Sequence, residues 1–158
     1  MRRHILHARL ILATAGLVVA VSAAVPHVWA DQTFHTVQLA LQPVNGAPPL
    51  QQGFVVDVHA NGPQIAAQER YVLVGAAPHT TYHVQLNAYP DTACAQMPVA
   101  TIPEASLTTN AAGNGEAGFT FAAAQSPPPG TYNLQWQVLD SSGTTVLYQT
   151  ACTAVAVD

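Results

Sequence analysis

From Phe34 onward, apolar and polar side chains alternate with a period of two, in short runs cut by Gly, Pro and Asn about every 8 to 15 residues. Phe34–Leu41 places His35, Val37, Leu39 and Leu41 on one face. Pro43-Val44-Asn45-Gly46-Ala47-Pro48-Pro49 ends that run. In Gly53–Ala60 the pattern puts Phe54, Val56, Val58 and Ala60 inward, so Asp57 and His59 are expected to face outward. Asn61-Gly62-Pro63 turns the chain, and a third strand runs from about Gln68 to Gly75. Thr81–Tyr89 has the cleanest alternation. Tyr82, Val84, Leu86 and Ala88 form one face, and His83, Gln85, Asn87 and Tyr89 the other. An irregular stretch with Cys94, Pro98 and Pro103 follows.

Ser106–Asn110 and Glu116–Ala123 flank Ala111-Ala112-Gly113-Asn114-Gly115, a pattern that predicts a hairpin. After Ser126-Pro127-Pro128-Pro129-Gly130, the residues Tyr132, Leu134, Trp136 and Val138 alternate with Asn133, Gln135 and Gln137. Trp136 is therefore expected in the core. A turn at Asp140-Ser141-Ser142-Gly143 leads to a last strand, Thr145–Val157. About eight strands without helical periodicity or internal repeat predict an all-β, antiparallel sandwich or barrel.

The first thirty residues have a different grammar. Arg2, Arg3 and Arg9 precede an apolar run from Leu10 to Ala24, Pro26 breaks it, and Val28-Trp29-Ala30 supplies small residues for a signal peptidase. The run is shorter than the ~20 residues of a membrane-spanning helix. The expected organisation is a signal peptide over residues 1–30 and one domain over residues 31–158, secreted or periplasmic.

Export changes the charge. Only Arg70 remains as a cation against eight acids, a net charge of −7 with neutral histidines. A chain with one cation lacks the counterion-releasing contacts that nucleic acid requires. An anionic membrane surface would repel it for the same reason. Cys94 and Cys152 both fall in the exported part, where two thiols are expected to pair as a disulfide.

Ala77-Pro78-His79-Thr80-Thr81-Tyr82-His83-Val84, Leu107-Thr108-Thr109-Asn110-Ala111-Ala112-Gly113-Asn114-Gly115 and Pro129-Gly130-Thr131-Tyr132 are turn-plus-strand entries. They resemble those of secreted immunoglobulin-like and fibronectin type III-like modules. The resemblance covers most of residues 31–158. It implies a β-sandwich of immunoglobulin-like type and nothing specific about activity. The cysteine–tryptophan–cysteine spacing of immunoglobulin domains is absent: Trp136 lies far closer to Cys152 than to Cys94.

Three kinds of chemistry are open to such a chain. The strip His83, Gln85, Asn87, Tyr89 is neutral and polar with an aromatic end, suited to hydrogen-bonding and stacking on a glycan or an extracellular protein partner. His59, His79 and His83, with Asp57, are candidate ligands for Cu or Zn, since neutral imidazole suits both metals. Glu69, Asp91, Glu104 and Glu116 could furnish a carboxylate pair for hydrolysis of a sugar. No Gly-x-Ser-x-Gly elbow is present. Arg70 has Glu69, Asp57 and Asp91 as candidate partners. The expectation is a non-catalytic extracellular interaction or surface-associated module with no required cofactor. A metal-binding protein and a small secreted hydrolase are the alternatives.

Overall fold

The computed structural model describes residues 35–60 and 64–157. The expected export signal over residues 1–30, the expected mature start at Asp31 and the expected Asn61-Gly62-Pro63 turn lie outside them. The described residues form ten strands: β1 (His35–Ala40), β2 (Gln42–Pro43), β3 (Gln52–His59), β4 (Ile65–Val74), β5 (Thr81–Tyr89), β6 (Ala100–Thr108), β7 (Gly115–Ala122), β8 (Gly130–Leu139), β9 (Val146–Gln149) and β10 (Thr153–Val157). One sheet has the order β1-β3-β4-β7. The other runs β2-β9-β8-β5-β6, with β10 also on β8. Every pairing is antiparallel. The architecture is the expected all-β sandwich, and its inner faces enclose one core.

That core is centred on large rings and branched aliphatics. Trp136, Tyr71, Leu73, Val55 and Val138 are fully enclosed, and Tyr148 lies beside Tyr82 with ring centroids 6.4 Å apart. Each fully buried large apolar side chain contributes about 1.5–3 kcal/mol of transfer free energy. Tyr82, Val84 and Leu86 point inward from β5, and Leu134, Trp136 and Val138 from β8, as the alternation predicts.

The second alternating run has the opposite phase. Val55 and Asp57 are the buried residues of β3, at 0% and 1% exposure, while Phe54, Val56 and Val58 are only half-buried. Phe54, Val55, Val56 and Val58 are all apolar, so alternation alone leaves the phase of this strand ambiguous. The register decides it: Val55 sits opposite Tyr71 and Asp57 opposite Glu69, on the inner face of the sheet. Asp57 and His59 therefore turn into the sandwich rather than toward solvent.

The expected hairpin after β6 is absent. β6 pairs with β5, and β7 pairs with β4 in the other sheet. The Asn110–Gly113 turn is a crossover between layers. The Asn110 side-chain oxygen accepts from the amides of Ala112 and Asn114, and Gly113 has φ +75°. A Cβ at Gly113 would stand 2.1 Å from the Ala76 carbonyl oxygen, so the turn is pinned against the β4–β5 loop and directed away from β6.

The last strand is broken. β10 pairs with the first half of β8 and β9 with the second half. At the break, the Thr150 amide donates to the Trp136 carbonyl, the Trp136 amide donates to the Thr150 hydroxyl, and the Gln135 side chain donates to the Thr150 carbonyl. Cys152 follows and forms the Cys94–Cys152 disulfide, with Cα atoms 5.6 Å apart. Asp91 organises the partner loop, accepting from the amides of Ala93, Ala95 and Gln96. These bonds, the one from Ala95 foremost, hold its carboxyl below the usual aspartate value.

Because the bridge closes a long loop, replacing both cysteines by alanine is expected to cost about 2–4 kcal/mol. The loss should appear as a lower urea midpoint with the same strand circular-dichroism signature before unfolding.

Candidate functional site

The inner face of the sandwich holds three carboxyls. Asp57 comes from β3, Glu69 from β4 and Glu104 from β6 in the facing sheet. Asp57 and Glu69 are cross-strand partners, so two acids stand side by side on one inner face. Like charges so placed are destabilising unless a proton or a counter-charge intervenes. His59 Nε2 lies 2.9 Å from Asp57 Oδ2, within hydrogen-bonding reach.

A bulge delivers Glu104. Val84 pairs with Ala105 and Gln85 with Pro103, which leaves Glu104 as the extra residue of β6. Its carboxyl reaches across the sandwich to the Tyr71 hydroxyl, 2.7 Å from Oε2. The same hydroxyl contacts Glu69 Oε2 on its own strand. Trp136 Nε1, from β8, donates to that Glu69 oxygen at 2.8 Å. Two oxygens of the cluster, Asp57 Oδ1 and Glu104 Oε1, are buried without a hydrogen-bond partner.

Desolvation dominates the electrostatics here. Burial raises the Glu69 carboxyl above the usual range against the lowering contacts of Tyr71 and Trp136, and the Asp57 charge raises it further. Glu104 is raised further still, by burial first and by the Glu69 charge second. Tyr71 is also raised, by burial and then by both glutamates, so its phenol keeps its proton.

A cavity of about 240 Å³ opens beside this cluster, between the two sheets at one end. Its wall is largely apolar: Leu86, Ala88, Phe121 and Leu134 contribute, and Glu69, His59 and Tyr132 are its ionisable members. Val99 and Ile102 also line it and are exposed at 72% and 37%, with Met97 nearby in sequence at 86%. An apolar cavity with an apolar, exposed mouth and a few convergent polar groups has the anatomy of a small-molecule site.

The expected sites look different in three dimensions. His59 lies in the first sheet beside Asp57, whereas His83 lies in the second and its Nδ1 meets Ser106 Oγ at 2.9 Å. His79 is exposed in the loop before β5. The proposed metal set Asp57, His59, His79 and His83 is thus split. Among the described residues no group of three or more His, Cys, Asp or Glu side chains could hold a metal ion. His83 and Ser106 are directly opposite on β5 and β6, so their contact is a cross-strand pair.

The polar strip is a ladder rather than an open row of groups. Gln85 donates to Gln137, Tyr89 to Gln135, Gln137 to Gln135, and Asn87 accepts from Thr101 at 2.6 Å. Asn87 is 2% exposed. The hydrogen bonds a glycan would use are in large part made within the sheet. Arg70 pairs with Glu116 at 2.5 Å on the outside of β4 and takes none of its expected partners.

Of the acids named from sequence, Glu69 and Glu104 converge. Tyr71 escaped notice, although Glu69 and Tyr71 are two apart on one strand and must share a face. Comparison of the chain with protein-family models, with curated proteins and with solved structures returns no match.

Tyr71→Phe removes one hydroxyl and leaves two buried carboxyls without their bridge. The expected cost is about 1–3 kcal/mol, read as a lowered urea midpoint with an unchanged m-value.

Proposed function

We propose that this is an exported, non-catalytic binding module. It takes a small, largely apolar molecule in the end cavity, with the Glu69 carboxyl addressing one hydrogen-donating or ammonium head group. The observation that carries the reading is the juxtaposition of an apolar cavity, an exposed apolar mouth and a single carboxylic side chain fixed by Tyr71 and Trp136. Three nearby carboxyls and the chain's excess of acids disfavour an anionic head.

Export fits this assignment. The N-terminal thirty residues carry a cleavable signal pattern, and the Cys94–Cys152 disulfide belongs to an oxidising compartment. The immunoglobulin-like assignment has support of its own. The order β9-β8-β5-β6 matches a G-F-C-C′ sheet, and neighbours β4 and β7 match strands B and E. The Tyr132 hydroxyl donates back to the Pro128 carbonyl at 2.7 Å at the start of β8, in the manner of a tyrosine corner. The disulfide departs from that family's B–F position and joins the β5–β6 loop to the strand break after β9.

A second reading is hydrolysis by the carboxyl pair, favoured by the shared Tyr71 hydroxyl. It is the weaker one, because Glu69 lines the cavity and Glu104 does not.

Titration of the purified protein with hexylamine, hexanol and hexanoate, followed by calorimetry and amide shifts, tests the binding reading. Hexylamine is expected to bind best and hexanoate worst, with shifts at Leu86, Ala88 and Phe121. Ala88→Trp, which fills the cavity, should abolish binding while the protein stays folded. Equal binding of hexanoate, no binding of any probe, or binding undiminished in Ala88→Trp contradicts it.

A further inference from the structure

The contacts around Tyr71 can be counted in hydrogens. Its oxygen touches Glu69 Oε2 and Glu104 Oε2. A phenol carries one hydrogen and an ionised carboxylate carries none. With both glutamates ionised, one of the two contacts would be a bare oxygen–oxygen approach between a phenol lone pair and an anion. Trp136 cannot supply the missing hydrogen, because its single N–H is directed to Glu69 Oε2. Arg70 points out of the sandwich to Glu116. The hydrogen that completes the set must therefore sit on a carboxyl.

We propose that Glu69, Tyr71 and Glu104 form a proton clasp, in which the folded chain holds a proton between the two glutamates and thereby ties β6 to the facing sheet. In an arrangement that satisfies both phenol contacts, the Glu104 carboxyl donates to the Tyr71 oxygen. Tyr71 donates to the Glu69 carboxylate, which also accepts from Trp136. Loss of the proton leaves two anions at the ends of one hydroxyl, with Asp57 as a third acid opposite Glu69 and His59 as its partner. Among the described residues, β5 faces them with Leu86 and Ala88, β7 with Phe119 and Phe121, and β8 adds the Tyr132 phenol at the cavity wall.

β6 is the element that yields. It is the edge strand of its sheet, it is bulged at Glu104, and Pro103 has no amide hydrogen to donate. Its other side-chain hydrogen bonds, from Thr101, Ser106 and Thr108, all go to β5. The Glu104–Tyr71 bond is its polar tie across the sandwich. This inference holds whether or not a ligand fills the cavity.

The sign follows from linkage. The clasp proton is held by the folded state and released by the unfolded chain above the ordinary glutamate value. Stability is therefore full at mildly acid pH and falls as pH rises through neutrality toward the raised folded values. One proton corresponds to a folding constant that falls up to about tenfold per pH unit.

Urea unfolding of the purified protein from pH 5 to 9, with amide-exchange protection factors for β6 against β8, tests the clasp. The wild type is expected to lose stability with rising pH, and β6 amides to lose protection before those of β8. Glu104→Gln presents a neutral N–H donor to Tyr71. It should shed about one proton's worth of the pH slope and keep β6 protected at pH 9. Glu69→Gln is the second neutral mimic and reads the same slope if Glu104→Gln does not fold. A flat wild-type profile, an undiminished slope in the folded variant, or β6 and β8 opening together overturns the proposal.

Discussion

Everything distinctive about this sandwich follows from bringing carboxyl groups into a space that two sheets would otherwise fill with hydrocarbon. A buried isolated carboxylate is costly enough that it must find hydrogen donors or keep its proton. Glu69 does so through Tyr71 on its own strand and Trp136 opposite, and the Trp136 bond joins β4 to β8 across the layers. Glu104 reaches Tyr71 from the edge strand of the second sheet. The hydrogen bonds that relieve the acids are thus among the bonds that hold the layers in register. Removing a donor would weaken both functions together.

The cavity beside the cluster is a consequence of the same arrangement. Where the inner faces carry Ala67, Ala88 and the half-buried Phe121 instead of larger side chains, the layers leave space unfilled. Glu69 turns part of that wall polar. The mouth is lined by Val99 and Ile102, from a loop and an edge strand anchored nearby by the Asp91 amide cradle and the disulfide. On the binding reading proposed above, the apolar rim, the apolar wall and one oriented carboxyl together form the recognition surface.

Much of the fold was legible in the sequence because β-strands declare themselves by alternation. β5 was read end to end, Trp136 was placed in the core, and the cysteine pair was joined. The errors have physical causes. In β3, Phe54-Val55-Val56 is apolar on both faces, so the phase is set by pairing with β4, which a single strand does not encode. The Asn110–Gly113 turn has hairpin chemistry, yet its docking on Ala76 sends the chain to the opposite sheet. The inward aim of Glu104 depends on a bulge, and the union of Glu69 with Glu104 depends on two sheets facing each other. Neither leaves a local signature. Only the Glu69-x-Tyr71 and Asp57-x-His59 spacings hinted at polar groups sharing a strand face.

The central claim is that a carboxyl in the core is protonated when the surrounding solution is neutral. Infrared difference spectroscopy of the folded protein at pH 7 reads this directly, since a protonated carboxyl has a carbonyl stretch that a carboxylate lacks. The account predicts that band in the wild type and its loss in Glu104→Gln. A wild-type spectrum at pH 7 with carboxylate bands alone would contradict it.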